Sequence, residues 1–202
     1  MVTYSSPRCC DQCGATLSPF ARADARYCSS RCRTAAHRAQ AGGDTCIPAE
    51  LRRRARWVRH RNKRPITADG KPATSTDPQT WTDWPTARDS RIGDGPGFVL
   101  NGSDGVVCVD LDDCLSDAGR LLPWAAPVLA QLPATYMEVS PSGRGLHVWG
   151  RAQLERGRVV KVDGGRLELY PSGRYMTVTG RRFRAAPSRL GDLSGFIGSL
   201  GL

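Results

Sequence analysis

The chain has 202 residues, 29 lysines and arginines against 19 aspartates and glutamates, and a formal net charge of +10. That balance points to a polyanionic partner, and no segment approaches the roughly 20 apolar residues of a membrane-spanning helix, so no membrane partner is expected. Met1 to Arg8 carries no apolar run of the signal-peptide kind, so the expected location is the cytoplasm.

Eight cysteines could suggest a secreted disulfide scaffold, but five lie between Cys9 and Cys32 in short paired spacings, which suits metal ligation in a reducing compartment. Cys10-Asp11-Gln12-Cys13-Gly14 places two thiolates on a tight turn, and Cys28-Ser29-Ser30-Arg31-Cys32 supplies a second pair. Four soft ligands in two pairs suit tetrahedral Zn²⁺. Cys9 is an alternative first ligand, and His37 a weaker substitute. Arg22, Arg26, Arg31, Arg33 and Arg38 give this module a basic surface suited to nucleic-acid phosphates. The stretch Ala41-Gly42-Gly43-Asp44 reads as a linker, so residues 1–43 are expected to form a zinc-binding module and 47–202 a second, larger domain.

Pro48 to Val58 is arginine-rich, with Leu51, Ala55 and Val58 on one helical face, and reads as a short basic helix. Lys63 to Arg91 reads as loops around one helical turn, with Trp81 and Trp84 expected in the core. Gly97-Phe98-Val99-Leu100 and Val106-Val107-Cys108-Val109 flank Asn101 to Gly105 and read as two strands joined by a tight turn. Leu115 to Leu132 has helical spacing interrupted by proline. Tyr136-Met137-Glu138-Val139 with Leu146-His147-Val148-Trp149 reads as a second strand pair, and Arg166 to Tyr170 with Arg174 to Thr179 as a third hairpin. Leu190 to Leu202 reads as a docking helix or a core-closing segment. The expected class is α+β with a mainly antiparallel sheet.

Strand period two puts Asp110 and Asp112 on one face at the end of an apolar strand, a candidate site for a hard divalent cation and phosphoryl transfer. Ser142-Gly143-Arg144-Gly145-Leu146-His147 is a glycine-rich turn whose hydroxyl, guanidinium and imidazole can converge on a triphosphate. Glu168 interrupts an apolar strand, where an unpaired carboxylate is costly, and is a candidate third metal ligand. Arg144, Lys63 and Arg174 are candidate cations for phosphate charge.

In this order, Asp110-Leu111-Asp112, Ser142 to His147 and Leu167-Glu168-Leu169-Tyr170 resemble the three motifs of the bifunctional DNA primase/polymerase N-terminal domain, a family of the archaeo-eukaryotic primase superfamily. Lys63-Arg64-Pro65, Thr80 to Trp84, Gly97 to Leu100 and Val178-Thr179-Gly180 are similar to its accessory signatures, so the resemblance extends over about Ile47 to Thr179. It implies a palm-like core with an RNA-recognition-motif-like sheet. In that core Asp110, Asp112 and Glu168 bind two Mg²⁺ or Mn²⁺ ions, and His147 and Ser142 hold the incoming nucleotide. The implied activity is template-directed primer synthesis or extension on single-stranded DNA from nucleoside triphosphates, in a setting such as a mobile element or phage. Larger members carry a helicase after this core, so unwinding is expected from a separate protein. One alternative is a non-catalytic, DNA-binding initiation protein; another is a metal-dependent nuclease, which fits the Ser142 to His147 turn less well.

Overall fold

The computed structural model describes residues 10, 15–34 and 46–201. Within 46–201 the chain is α+β, with short helices and two largely antiparallel sheets. The strands are β1 (Trp57–Arg61), β2 (Arg64–Ile66), β3 (Gly95–Asn101), β4 (Val106–Leu111), β5 (Tyr136–Val139), β6 (Leu146–Arg151), β7 (Arg158–Val162), β8 (Gly165–Tyr170), β9 (Ser172–Thr177) and β10 (Gly191–Asp192). One sheet has the order β2-β1-β3-β9; the other runs β10-β6-β4-β8-β7, with β5 also pairing β6. The β10–β6 pair is parallel.

Strand alternation sorts the core into two layers. Val107, Val109 and Leu111 of β4, with Leu146, Val148, Leu167 and Leu169, face a cluster closed by Ala125 and Val128 of one helix and by Phe196 and Ile197 of another. Those helices are Ala125–Ala130 and Ser194–Ser199, so the C-terminal segment closes the core as expected. Val106 and Cys108 point the other way, to meet Trp57, Phe98, Leu100 and Met176 of the smaller sheet. The Phe98 and Trp149 rings cross between the sheets edge to face at 5.9 Å, a favoured aromatic geometry. Trp84 is buried in this layer, as expected, whereas Trp81 is half-buried and donates to the Thr74 carbonyl.

Several local expectations are corrected. The helix over 48–58 covers only Ala49–Arg52, because Trp57 and Val58 are buried in β1. Tertiary burial of an aromatic and a β-branched residue there overrides the helical spacing. The strands around Asn101 to Gly105 exist but do not pair: β3 lies between β1 and β9, and β4 between β6 and β8. The connection carries the chain from one sheet to the other, with Gly102 and Gly105 at positive φ and Asp104 clamped by Arg54 and Arg56. The third hairpin is likewise absent, since β8 belongs to the larger sheet and β9 to the smaller, the chain crossing at the buried Pro171. Leu115 to Leu132 is helical only over Ala125–Ala130; before it, Leu115 and Leu121 form a bridge around a tight turn with Gly119 at φ 68°. Strand β7 is an addition to the expected elements. The pairing of 136–139 with 146–149 is observed as β5–β6.

Candidate active site

The ladder register builds the site. On β4, Asp110 stands opposite His147 of β6 on one side and opposite Glu168 of β8 on the other. His147 in turn faces Glu138 of β5, and Glu168 faces Val159 of β7. Glu138, His147, Asp110, Glu168 and Val159 therefore form one row across five strands, with side chains on one face. Asp112 follows Asp110 on that face, just beyond the end of β4.

Asp110 is mostly buried, and its Oδ1 has no hydrogen-bond partner among the described residues; His147 Nε2 lies 3.9 Å from it. Burial pushes its carboxyl up to about 6, aided by Asp112 and Glu168 and opposed by His147 and Arg166. Arg166 lies between the outer carboxylates, with Nη2 at 3.5 Å from Asp112 and Nε at 3.2 Å from Glu168. Tyr170 donates its hydroxyl to Glu168, and burial together with that carboxylate drives the phenol up to about 12. Arg174 stacks its guanidinium 4.9 Å over the Tyr170 ring, which brings this predicted cation to the margin of the site.

The imidazole is held from behind. His147 Nδ1 lies 3.4 Å from Glu138 Oε1, leaving Nε2 toward Asp110. Burial opposes charge on His147, but Glu138 and Asp110 outweigh it and raise its pKa. Glu138 is fully buried and accepts from Tyr136 Oη at 2.8 Å, Gly180 N at 2.9 Å, Thr179 N at 3.0 Å and Trp149 Nε1 at 3.3 Å. Glu138, Arg166 and Tyr170 have no place among the site residues expected from sequence. Glu138 alone had a legible signal: counting outward from the Ser140 to Gly145 turn sets it opposite His147.

The turn itself opens to solvent. Ser142 is exposed, its Oγ 3.0 Å from that of Ser140, and Gly143 adopts φ 79° with open space where a side chain would stand. Gly145 is required by packing, because a Cβ there would meet the Leu111 carbonyl at 2.9 Å. Arg144 pairs with Asp113 at 3.0 Å. Lys63 sits in the β1–β2 turn at φ 62°, exposed, and no ion pair joins it to the acidic row among the described residues.

Residues 35–190 match the bifunctional DNA primase/polymerase N-terminal domain. The chain belongs to this family. It is also 40% identical over 151 residues to a DNA primase-polymerase of Nitratiruptor phage NrS-1, covering 68% of this chain and 21% of that protein. The chain thus spans about a fifth of that relative's length. The row on β5, β6, β4 and β8 lies within the matched region.

A second cluster lies in the N-terminal part. The ligand atoms of Cys10, Cys28 and Cys32 come within 4.8 Å of one another, close enough for three thiolates to share one metal ion. Cys28 and Cys32 sulfurs are 3.5 Å apart, Cys32 lying in helical residues 30–34. Cys13, with Cys9, His37 and Arg38, falls outside the described residues. Among the described residues no helix is long and apolar enough to cross a membrane.

Proposed function

We propose that the chain is a nucleotidyltransferase that makes or extends primers on a single-stranded DNA template, using nucleoside triphosphates and the row centred on Asp110. The carrying observation is the register: an unpartnered, buried Asp110 Oδ1 lies between His147 and Glu168, with Asp112 on the same face. These residues fit hard divalent cations, which prefer oxygen ligands, and Arg166, paired with Asp112 and Glu168, supplies positive charge at the same carboxylates. Mg²⁺ or Mn²⁺ held by Asp110, Asp112 and Glu168 would stabilise charge on the attacking and leaving oxygens.

The chain's own groups supply the rest. His147 Nε2, fixed by Glu138 behind the ring, donates to a phosphate oxygen, and Ser142 with the backbone of Gly143 receives the β- and γ-phosphates. Arg144 leaves Asp113 to neutralise phosphate charge, with Arg174 and Lys63 as outer cations. A primer 3′ oxygen then forms a bond to the α-phosphorus as the bond to the bridging oxygen breaks. Pyrophosphate departs and the hydroxyl proton passes to water.

Residues 1–43 form a separate module in this reading, in which Cys10, Cys13, Cys28 and Cys32 hold a structural Zn²⁺ and the exposed Arg22, Arg26, Arg31 and Arg33 track DNA phosphates. The test is extension and de novo synthesis on single-stranded templates with Mn²⁺ or Mg²⁺, comparing wild type with Asp110→Ala/Asp112→Ala. Metal-dependent product that vanishes in the double variant supports the proposal; template binding without product from wild type would turn the reading to a non-catalytic initiator.

A further inference from the structure

Beyond Glu168 the row ends on β7, an edge strand of the larger sheet. There Val159 is 64% exposed although it is a large apolar residue, and Lys161, two positions on and therefore on the same face, is exposed as well. Val159 and Lys161 thus prolong the face of the Asp110 row to the sheet edge, setting an apolar side chain opposite Glu168 and a cation opposite Arg166. The strand and its flanks are basic: Arg156, Arg158, Lys161 and Arg166 stand against Glu155 and Asp163.

Resting on the proposed nucleotidyl transfer, the register specifies what lies there. In-line displacement puts the attacking oxygen and the leaving pyrophosphate on opposite sides of the α-phosphorus. With the pyrophosphate on the β5–β6 turn, next to His147, the α-phosphorus lies over Asp110 and the attacking hydroxyl must come from the β8 side. Adjacent strands are about 4.8 Å apart, so His147 and Val159, three strands apart, are roughly 14 Å from each other. That is room for one phosphate, the reacting phosphorus, the hydroxyl and the sugar that bears it, in that order.

We infer that the β7–β8 hairpin is the platform for the primer's 3′-terminal nucleotide, with Val159 against its sugar and Lys161 on the adjoining internucleotide phosphate. The apolar contact suits the carbon face of a sugar ring, and the lysine supplies a point charge for a phosphate. On its outer side β7 has no ladder partner among the described residues, so the primer can enter from solvent along the sheet edge.

The decisive variant is Val159→Asp/Lys161→Glu, in which both altered side chains are solvent-facing; Lys161→Ala is made alongside as the milder change. The expected result is a rise of tenfold or more in the KM for primer–template, with the KM for nucleotide and the Mn²⁺ affinity held within twofold. Lys161→Ala should also flatten the salt dependence of primer–template binding by about one unit of log–log slope, as for loss of one phosphate contact. Unchanged primer KM, or a parallel rise in both KM values, overturns the inference. Should wild type prove inactive, the polymerase reading fails by itself, and fluorescence anisotropy still decides the surface. Loss of a preference for a recessed 3′ end over a blunt duplex in the double variant supports it; a retained preference, or none in wild type, overturns it. A change in sedimenting mass with unaltered DNA binding would assign the β7 edge to pairing of two chains and would also overturn it.

Discussion

Replacing Glu138 with alanine removes one carboxylate that serves donors from three strands or loops, and its cost can be worked from the structure. Tyr136 Oη, Trp149 Nε1, Thr179 N, Thr179 Oγ1 and Gly180 N all donate to it within 3.3 Å, in a site with no solvent exposure. Each buried donor left unsatisfied costs about 1–3 kcal/mol. The five do not sum, because a cavity the size of the lost side chain admits water to some of them. Removing one partner of a buried charged cluster costs about 3–5 kcal/mol, a large part of the roughly 5–15 kcal/mol that stabilises a typical domain. For a chain of this size each kcal/mol lowers Tm by about 2–4 °C, so Glu138→Ala should melt roughly 6–20 °C below wild type. Glu138→Gln keeps the shape and one acceptor oxygen but turns an amide NH2 toward donors, and should lose about half as much. Urea unfolding followed by far-ultraviolet circular dichroism measures both, with the m value showing whether the unfolded reference has moved. A loss below about 1 kcal/mol for Glu138→Ala would refute the view that this network holds β5, β6 and the Thr179–Gly180 segment together.

Three further outcomes follow from particular residues. Asp110 ionises only above about pH 6 in the fold, higher than the roughly 4 of an unfolded carboxyl. The stability of its protonated form is therefore complete below pH 4 and lost as pH rises through 6. Asp110→Asn should accordingly gain on the order of 2 kcal/mol over metal-free wild type at pH 8 and nothing near pH 4, while losing Mn²⁺ binding; thermal melts across that range check the sign. Cys28→Ser/Cys32→Ser should abolish bound zinc, read by elemental analysis against about one ion per wild-type chain, without moving the melt of the two-sheet core. At Gly150 a Cβ would meet Leu193 Cγ at 2.5 Å and the Gly191 carbonyl at 2.8 Å, so Gly150→Ala should destabilise by about 1–3 kcal/mol as overpacking, a shift visible in the same urea experiment.

Motif chemistry carried the site in the sequence further than it carried the sheet connections. Asp110, His147 and Glu168 lie in separate segments, yet each announces itself as a charged or polar residue inside an apolar strand, and the ladder brings the three together. Local pattern cannot say which strand pairs with which. Asn101 to Gly105 and Pro171 to Gly173 have hairpin composition but carry the chain between sheets, a choice made by long-range burial of Phe98, Leu100 and Met176 against the larger sheet. Helical spacing over 48–58 failed for the same reason, as Trp57 packs against Trp84 and Phe98. Arg166 was hidden because an exposed-looking arginine at a strand start gives no hint that two carboxylates flank it. Glu138 was legible only through the turn, since Tyr136 to Val139 reads as an ordinary strand until counting outward from Ser140 and Gly145 sets it opposite His147.

The most direct test is diffraction at the manganese edge from crystals of the chain soaked with MnCl₂ and a nucleoside triphosphate. Anomalous density is expected within ligand distance of the Asp110, Asp112 and Glu168 carboxylates, with Arg166 withdrawn from between them and the triphosphate on the Ser142–His147 turn. Manganese elsewhere, with Arg166 still bridging Asp112 and Glu168, would contradict the proposed site.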